Sequence, residues 1–306
     1  MVLHNNVRVC IVCFKGDVHA EIISGILTNK YSSQVEFLHP ETCANSISLS
    51  YNTDENEKNI NNYDVVWLRR KNTLHVTENE FSDARLFINV AQSNQDAVHE
   101  FLNLNKSRCV NDPDHALLIE NKATQLRIGR ESGLHIPPTI VSANYEEILK
   151  FNSTHSPTVI KNMRSFGGEP TSTFEFNKEL INRKSCEKSF AIYQKMIAGS
   201  EHYRIVVFGN KIFPFLYHSK NIDSRIDARD KAELVALDPS TQESIIKFLE
   251  KSGLKMGVFD FKKSLEGITY FLEINQQGSF AYLDPLAGVP ILKEFAYFLY
   301  QEAKKA

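Results

Sequence analysis

Two apolar runs late in the chain, GVFDFKK at residues 257–263 and ITYFLEIN at residues 268–275, constrain the fold more than any other feature. Both are rich in aromatic and β-branched residues, and the Glu266-Gly267 pair between them is turn chemistry, so they read as a β-hairpin. With those two residues as the loop, Asp260 faces Glu273 across the strands. Glu273 and Asn275 then share a face, because strand side chains repeat every two residues. Asp, Glu and Asn on one face of an otherwise apolar hairpin are costly to bury unless a cation joins them, and magnesium takes such oxygen ligands together with nucleotide phosphates. A hairpin with one wet face carries the same pattern. On this segment alone the two readings stand level.

Cationic and glycine-bearing elements keep the hairpin company. Lys122 stands at the start of a helix, Lys161 ends a short strand, and a loop follows that contains Gly167 and Gly168. A lysine near a helix N-terminus and backbone amides exposed by glycine are both arrangements that receive phosphate. Singly, a lysine is usually solvated and Gly-Gly is usually a turn. Arg204 opens an apolar strand, and Arg229 lies in DSRIDARD. Both fit the holding of an acyl phosphate in a dry cleft, and both equally fit surface ion pairs.

The chain opens as β-α-β, with strands at 7–14 and 34–38 and a helix at 18–27, and a further strand follows at 64–68 after a polar loop. A helical region at 81–104 leads to a short strand and to Asn111-Asp112-Pro113, where Asp is an N-cap and Pro the first helical residue. A second helix runs from Asn121 to Gly133, a natural stop. Strands at 203–208 and 211–217 flank a Gly209-Asn210 turn, and helices are expected at 239–252 and 290–304. The fold class is mixed α/β (α+β). Three segments result: an N-terminal α/β domain over 1–111, a central part over 112–193 and a C-terminal part over 194–306.

Composition narrows the partners. With 306 residues, a net charge of -2 and 24% charged residues, nothing favours nucleic acid or an anionic membrane, both of which select clustered Lys and Arg. The N-terminus is unlike a signal peptide, and no run is long and apolar enough to span a bilayer, so the expectation is a cytoplasmic protein. Five scattered cysteines argue against a disulfide framework. Cys10 and Cys13 have C-x-x-C spacing but lie in VRVCIVCF, which reads as a buried strand.

The order of elements resembles the ATP-grasp superfamily over essentially the whole chain. NKATQLRIGRESGLHIPPTIVS (121–142) is similar to the segment opening the nucleotide-binding half, VIKNMRSFGG to the second lysine and its phosphate-covering loop, YQKMIAGSEHYRIVVFG (193–209) to the hinge beside adenine, and FLEINQQGSF to the metal-binding end. YDVVWLRR (63–70) and SRIDARD (224–230) most resemble the microviridin-type peptide ligases, which make graspetides. The resemblance implies an ATP-grasp fold whose central and C-terminal parts enclose the nucleotide, with ATP and Mg2+ as cofactors. It makes Lys122 and Lys161 phosphate contacts, places Gly167 and Gly168 in the covering loop, and makes Gln194, Lys195, Met196 and Ile197 the hinge. Asp260, Glu273 and Asn275 become the magnesium ligands, and Arg204 and Arg229 the acyl-phosphate or substrate arginines.

The implied reaction phosphorylates Asp or Glu side chains of a ribosomally made precursor peptide and joins them to Thr, Ser or Lys. A homodimer is implied as well, as is a leader segment gripped by residues 171–188. The alternative within the superfamily joins a free amino acid to a peptide, a protein tail or a second amino acid; a nucleotide-binding module that has lost catalysis is the other. Two departures stand out. Asn275-Gln276-Gln277-Gly278 replaces the usual Asn-Pro-x-Gly, which suggests a looser loop, and His202, beside Glu201, takes a position that is usually acidic and ribose-binding.

Overall fold

The computed structural model describes residues 6–40, 47, 63–70, 83–164, 173–177, 182–219 and 231–305. Strand β1 (Arg8–Val12) is continuously apolar after its first residue, as a strand covered on both faces must be. Asp17 caps helix α1 (Val18–Tyr31) by accepting from the Ala20 N–H at 3.0 Å, and Ser32 in the left-handed region ends it. Strand β2 (Gln34–Leu38) then pairs parallel to β1. Strand β3 (Val65–Leu68), helix α2 (Ala84–Leu104) and strand β4 (Cys109–Val110) complete a parallel sheet in the order β2-β1-β3-β4. Cys10 and Cys13 are both buried in this core, and burial pushes the Cys10 thiol pKa up. They are packing residues here.

Helix α3 (Pro113–Ile119) begins as expected, with Asp112 accepting from the Asp114 N–H at 3.0 Å. Helix α4 (Lys122–Glu131), strand β5 (Thr139–Ser142), helix α5 (Tyr145–His155), strand β6 (Thr158–Lys161), strand β7 (Phe174–Glu175), helix α6 (Arg183–Cys186) and strand β8 (Ala191–Lys195) follow. The four strands form an antiparallel sheet, β5-β8-β6-β7, over a small core of Ile148, Cys186 and Tyr193.

Strands β9 (Glu201–Phe208) and β10 (Lys211–His218) form the expected hairpin, followed by β11 (Glu233–Leu234) and helix α7 (Pro239–Ser252). Strands β12 (Met256–Lys263) and β13 (Thr269–Asn275) are the late hairpin. Together they make a sheet in the order β11-β10-β9-β12-β13. One face packs Ile205, Val207, Phe259, Phe261, Phe271 and Ile274 against α4 and α7. Each such side chain contributes about 1.5–3 kcal/mol on burial. Gly129 lets α4 approach closely, since a Cβ there would stand 3.0 Å from Phe271 Cδ1.

Short helix α8 (Leu283–Ala287) precedes the final helix, α9 (Ile291–Ala303). Contacts group the chain into two units, 1–114 with 290–306, and 115–289. The second therefore holds both antiparallel sheets. The final helix, expected within the third segment, belongs instead to the first unit: its inward face, including Phe295 and Leu299, packs on α1 and β3, with the Phe295 ring 5.0 Å from that of Trp67. Among the described residues no helix is long and apolar enough to cross a membrane.

Candidate functional site

The face of the five-stranded sheet opposite its core carries a row of charge. Arg204 pairs in register with Asp260, and Asp260 with Glu273, so three neighbouring strands bring these residues side by side. The hairpin loop is longer than two residues, since β12 ends at Lys263 and β13 begins at Thr269. The register shifts after Asp260, where Phe261 pairs with Phe271, leaving Leu272 as an extra residue. That bulge restores the Asp260–Glu273 pairing that a short turn would give, and keeps both Phe271 and Ile274 in the core.

Every charge in the row has an opposite partner. Arg204 Nη1 donates to both Asp260 oxygens at 2.9 and 3.1 Å, and Nη2 donates to the Ser279 carbonyl at 3.0 Å. Burial opposes the Arg204 charge, but the Asp260 carboxylate outweighs it and raises the pKa. The Lys122 ammonium stands 2.6 Å from Glu273 Oε2. Lys122 is there because Asn121 caps α4, accepting from the Ala123 and Thr124 N–H groups at 3.0 and 3.4 Å, which starts the helix at the lysine. The Lys122 N–H donates to the Met163 carbonyl at 2.9 Å, tying this helix start to the chain just beyond β6.

Gln125, one turn further, fastens the row. Its side chain is buried; Nε2 donates to the Ile119 and Ile274 carbonyls at 2.7 and 3.0 Å, and Oε1 accepts from the Ile274 N–H at 3.0 Å. Strand β13 is a sheet edge, so Gln125 satisfies backbone groups of the residue between Glu273 and Asn275 that no strand pairs. Sequence reasoning missed it, although its place one turn after Lys122 was a signal. The loop after Asn275 is held rather than loose. The Gly278 N–H donates to the Asn275 carbonyl at 3.1 Å, and the buried Gln276 donates to the Ala116 carbonyl at 3.3 Å. Gly278 is required there, since a Cβ would lie 2.7 Å from Val258 Cβ.

Lys161, at the end of β6, donates to Gln194 Oε1 at 2.8 Å, and Gln194 donates to Thr139 Oγ1 at 2.9 Å. The Gln194 side chain is thus buried in a polar chain across the sheet. Beyond it, the N–H groups of Lys195 and Met196 donate to the Pro138 and Pro157 carbonyls, and Ile197 is buried. Gly199 then passes so close to Lys263 that a Cβ would stand 2.2 Å from its carbonyl oxygen. His202 and Glu201 go opposite ways. His202 is buried on the face of Arg204, its ring 5.5 Å from that of Tyr217, whereas Glu201 accepts from Tyr203 at 3.0 Å and from Lys263 at 3.2 Å, its carboxyl held below the usual range by Lys263 first and Tyr203 second.

The YDVVWLRR segment forms β3 and its end, where Arg69 lies buried with Nε 3.4 Å from Asp17. Gly167, Gly168 and Arg229 lie outside the described residues. Among the described residues, no three His, Cys, Asp or Glu side chains cluster as a metal site; Asp260 and Glu273 pair in register, and Asn275 lies two residues further along β13.

No protein-family model matches the chain, and no curated protein matches it. Solved structures do. Macrocyclase MdnC of Microcystis aeruginosa MRC, bound with precursor peptide MdnA, is 18% identical with a TM-score of 0.81, over 96% of this chain and 99% of that one. The Chryseobacterium gregarium RiPP-associated ATP-grasp ligase, in complex with ADP and a leader and core peptide, is 23% identical with a TM-score of 0.80, over 97% of each chain. A RimK domain ATP-grasp protein of Sphaerobacter thermophilus is 15% identical with a TM-score of 0.60, over 96% of this chain and 100% of that one. The chain has the ATP-grasp fold.

Proposed function

We propose that this chain is an ATP-dependent ligase that joins side chains of a ribosomally made precursor peptide into ester- or amide-linked rings. The observation that carries the proposal is the row Arg204–Asp260–Glu273–Lys122 on one sheet face, with Asn275 beside it. Two carboxylates and an amide oxygen are the hard donors magnesium takes, and the cations beside them suit a polyphosphate, so the residues fit a magnesium nucleotide. Bound magnesium would neutralise charge developing on the phosphates.

The chain's own residues then divide the work. Arg204, fixed between Asp260 and Ser279, orients the Asp260 carboxylate rather than reaching out to substrate. Asp260, Glu273 and Asn275 would hold the magnesium, and Lys122, 2.6 Å from Glu273 in this structure, would lie beside the phosphates. Lys161, steadied by Gln194, supplies a second cation. A substrate carboxylate attacks the γ-phosphorus and ADP leaves. A hydroxyl or amine then attacks the carbonyl carbon of the resulting acyl phosphate, the acyl–oxygen bond to phosphate breaks, and the nucleophile's proton leaves with the phosphate as hydrogen phosphate. Gly167, Gly168 and Arg229 keep their proposed parts, as covering loop and substrate arginine, as do Lys195, Met196 and Ile197 at the base.

The solved structures support a peptide substrate, since the closer likenesses are ligases bound to precursor, leader or core peptides, while the RimK domain protein superposes less well. A leader segment gripped by residues 171–188, a homodimer and a cytoplasmic location complete the proposal. Within that stretch Phe174 is 64% exposed, a free apolar contact on β7. Arg183 is already engaged, pairing with Glu146 and Glu187 and lying 5.1 Å over the Tyr145 ring. Mass spectrometry of a Thr-, Ser-, Asp- and Glu-rich peptide from a neighbouring reading frame, incubated with the protein and magnesium ATP, tests the proposal. Loss of one water per ring with matching ADP release is expected; ADP release without dehydrated peptide, or addition of free amino acid, refutes it.

A further inference from the structure

Beside the charged row runs a second one, in which Tyr217, His202, Lys262 and Tyr270 pair in register across β10, β9, β12 and β13. Phe259 and Phe261 point into the core, so Asp260 and Lys262 alternate onto the opposite face. Lys262 is only 9% exposed. Arg204 and Lys122 in the first row each have a carboxylate partner, whereas the Lys262 ammonium has no ion pair or hydrogen bond among the described residues. A desolvated ammonium without a counter-charge destabilises a fold, and such a group persists where a ligand supplies the missing charge.

We infer that Lys262 binds the phosphate adjoining the ribose of the bound nucleotide, an inference that rests on the nucleotide reading above. Its position selects that phosphate. Along β12, Lys262 stands about 7 Å from Asp260, given a rise of about 3.3 Å per residue. It lies on the side toward the hinge, where the Leu265 N–H donates to the Ala198 carbonyl and Gly199 packs against Lys263. A nucleotide with its metal-bearing end at Asp260 and Glu273 and its base at the hinge carries its innermost phosphate past Lys262. A compact ammonium is well suited to a phosphate oxygen.

Calorimetric titration of wild type and Lys262→Met with AMP, ADP and adenosine tests this, with melting curves taken without nucleotide. The variant keeps the length and apolar stem of the side chain and removes only the charge. AMP and ADP should both weaken by about 10- to 100-fold, the range of a charge-assisted hydrogen bond, with adenosine unchanged. The nucleotide-free melting temperature should equal or exceed that of wild type, because an unpaired charge has gone. Unchanged AMP affinity, weakening of ADP without AMP, or a lower melting temperature in both Lys262→Met and Lys262→Gln would overturn the inference. A wild type that binds no adenine nucleotide would instead sink the nucleotide reading, and this inference with it.

Discussion

Replacing Gln125 by Leu would separate the fastening of β13 from the chemistry beside it. Leu fills a similar volume but leaves the Ile274 N–H and C=O and the Ile119 C=O without the three bonds at 3.0, 3.0 and 2.7 Å that end on the amide. A buried polar group left unsatisfied costs about 1–3 kcal/mol. Some of this is recovered by relaxation and by the apolar gain of Leu, so a net loss of about 2–4 kcal/mol is expected. For a unit of this size that lowers the melting temperature by about 4–16 °C. The loss should also reach the site, because Ile274 lies between Glu273 and Asn275: the magnesium concentration needed for half-maximal ADP binding should rise. Gln125→Glu is the companion variant. Ionised, it sets a carboxylate against two carbonyls; protonated, it donates to one of them, so its stability should recover as pH falls. Melting curves across pH and magnesium titrations of ADP binding are the assays. A Gln125→Leu variant with wild-type melting and wild-type magnesium dependence would refute the reasoning.

Further predictions come from neighbouring contacts. Glu273→Gln should abolish ligation with little change in melting temperature, whereas Asp260→Asn should lose both ligation and about 3–5 kcal/mol of stability by leaving buried Arg204 without its carboxylate; product assays and melting curves check the contrast, and equal stability of the two variants contradicts it. Gly129→Ala should destabilise by about 1–3 kcal/mol through overpacking against Phe271 and Ile136, read by denaturant unfolding. The Asp238 carboxyl, at the start of α7, is held down at about 2 by Ser240 first and then Thr241, so the stability it gives is present above its ordinary 3.8 and is lost as pH falls toward 2. Asp238→Ala should therefore show a shallower loss of melting temperature over that interval, and an unchanged acid profile would remove the capping argument.

The late hairpin was legible because its face alternation is a strong signal, although the expectation of a two-residue loop reached the right pairing by a cancellation. The loop is longer, and the extra residue at Leu272 restores the register. No periodicity reading finds a bulge in advance. The helix start at Pro113 was legible from Asp112, and the helices starting at Lys122 and Pro239 lie within a residue of their expected starts, capped by Asn121 and Asp238. Helix α5 was missed, despite Asn144 capping it, because its sequence YEEILKFNSTH has few apolar residues and buries only Ile148. Of the charged row, Arg204, Asp260, Glu273 and Lys122 were all named from the sequence, because their residue types announce charge chemistry. Gln125 and Lys262 were not, because an amide in an amphipathic helix and a lysine in a strand both read as solvated until the sheet shows them buried. The placement of α9 was illegible for a related reason: an amphipathic helix declares that it has an apolar face, not which sheet will cover it.

That placement also sets an order of assembly. The second unit is one uninterrupted stretch, 115–289, while the first needs residues from both sides of it. During synthesis the parallel sheet of the first unit is made early, but Trp67 waits for Phe295, which emerges only after the whole second unit. The usual rule that N-terminal domains mature first is thereby reversed. A nascent chain arrested before α9 should hold a finished second unit beside a first sheet still open to proteases and chaperones, and release of the helix should close it in a single late step.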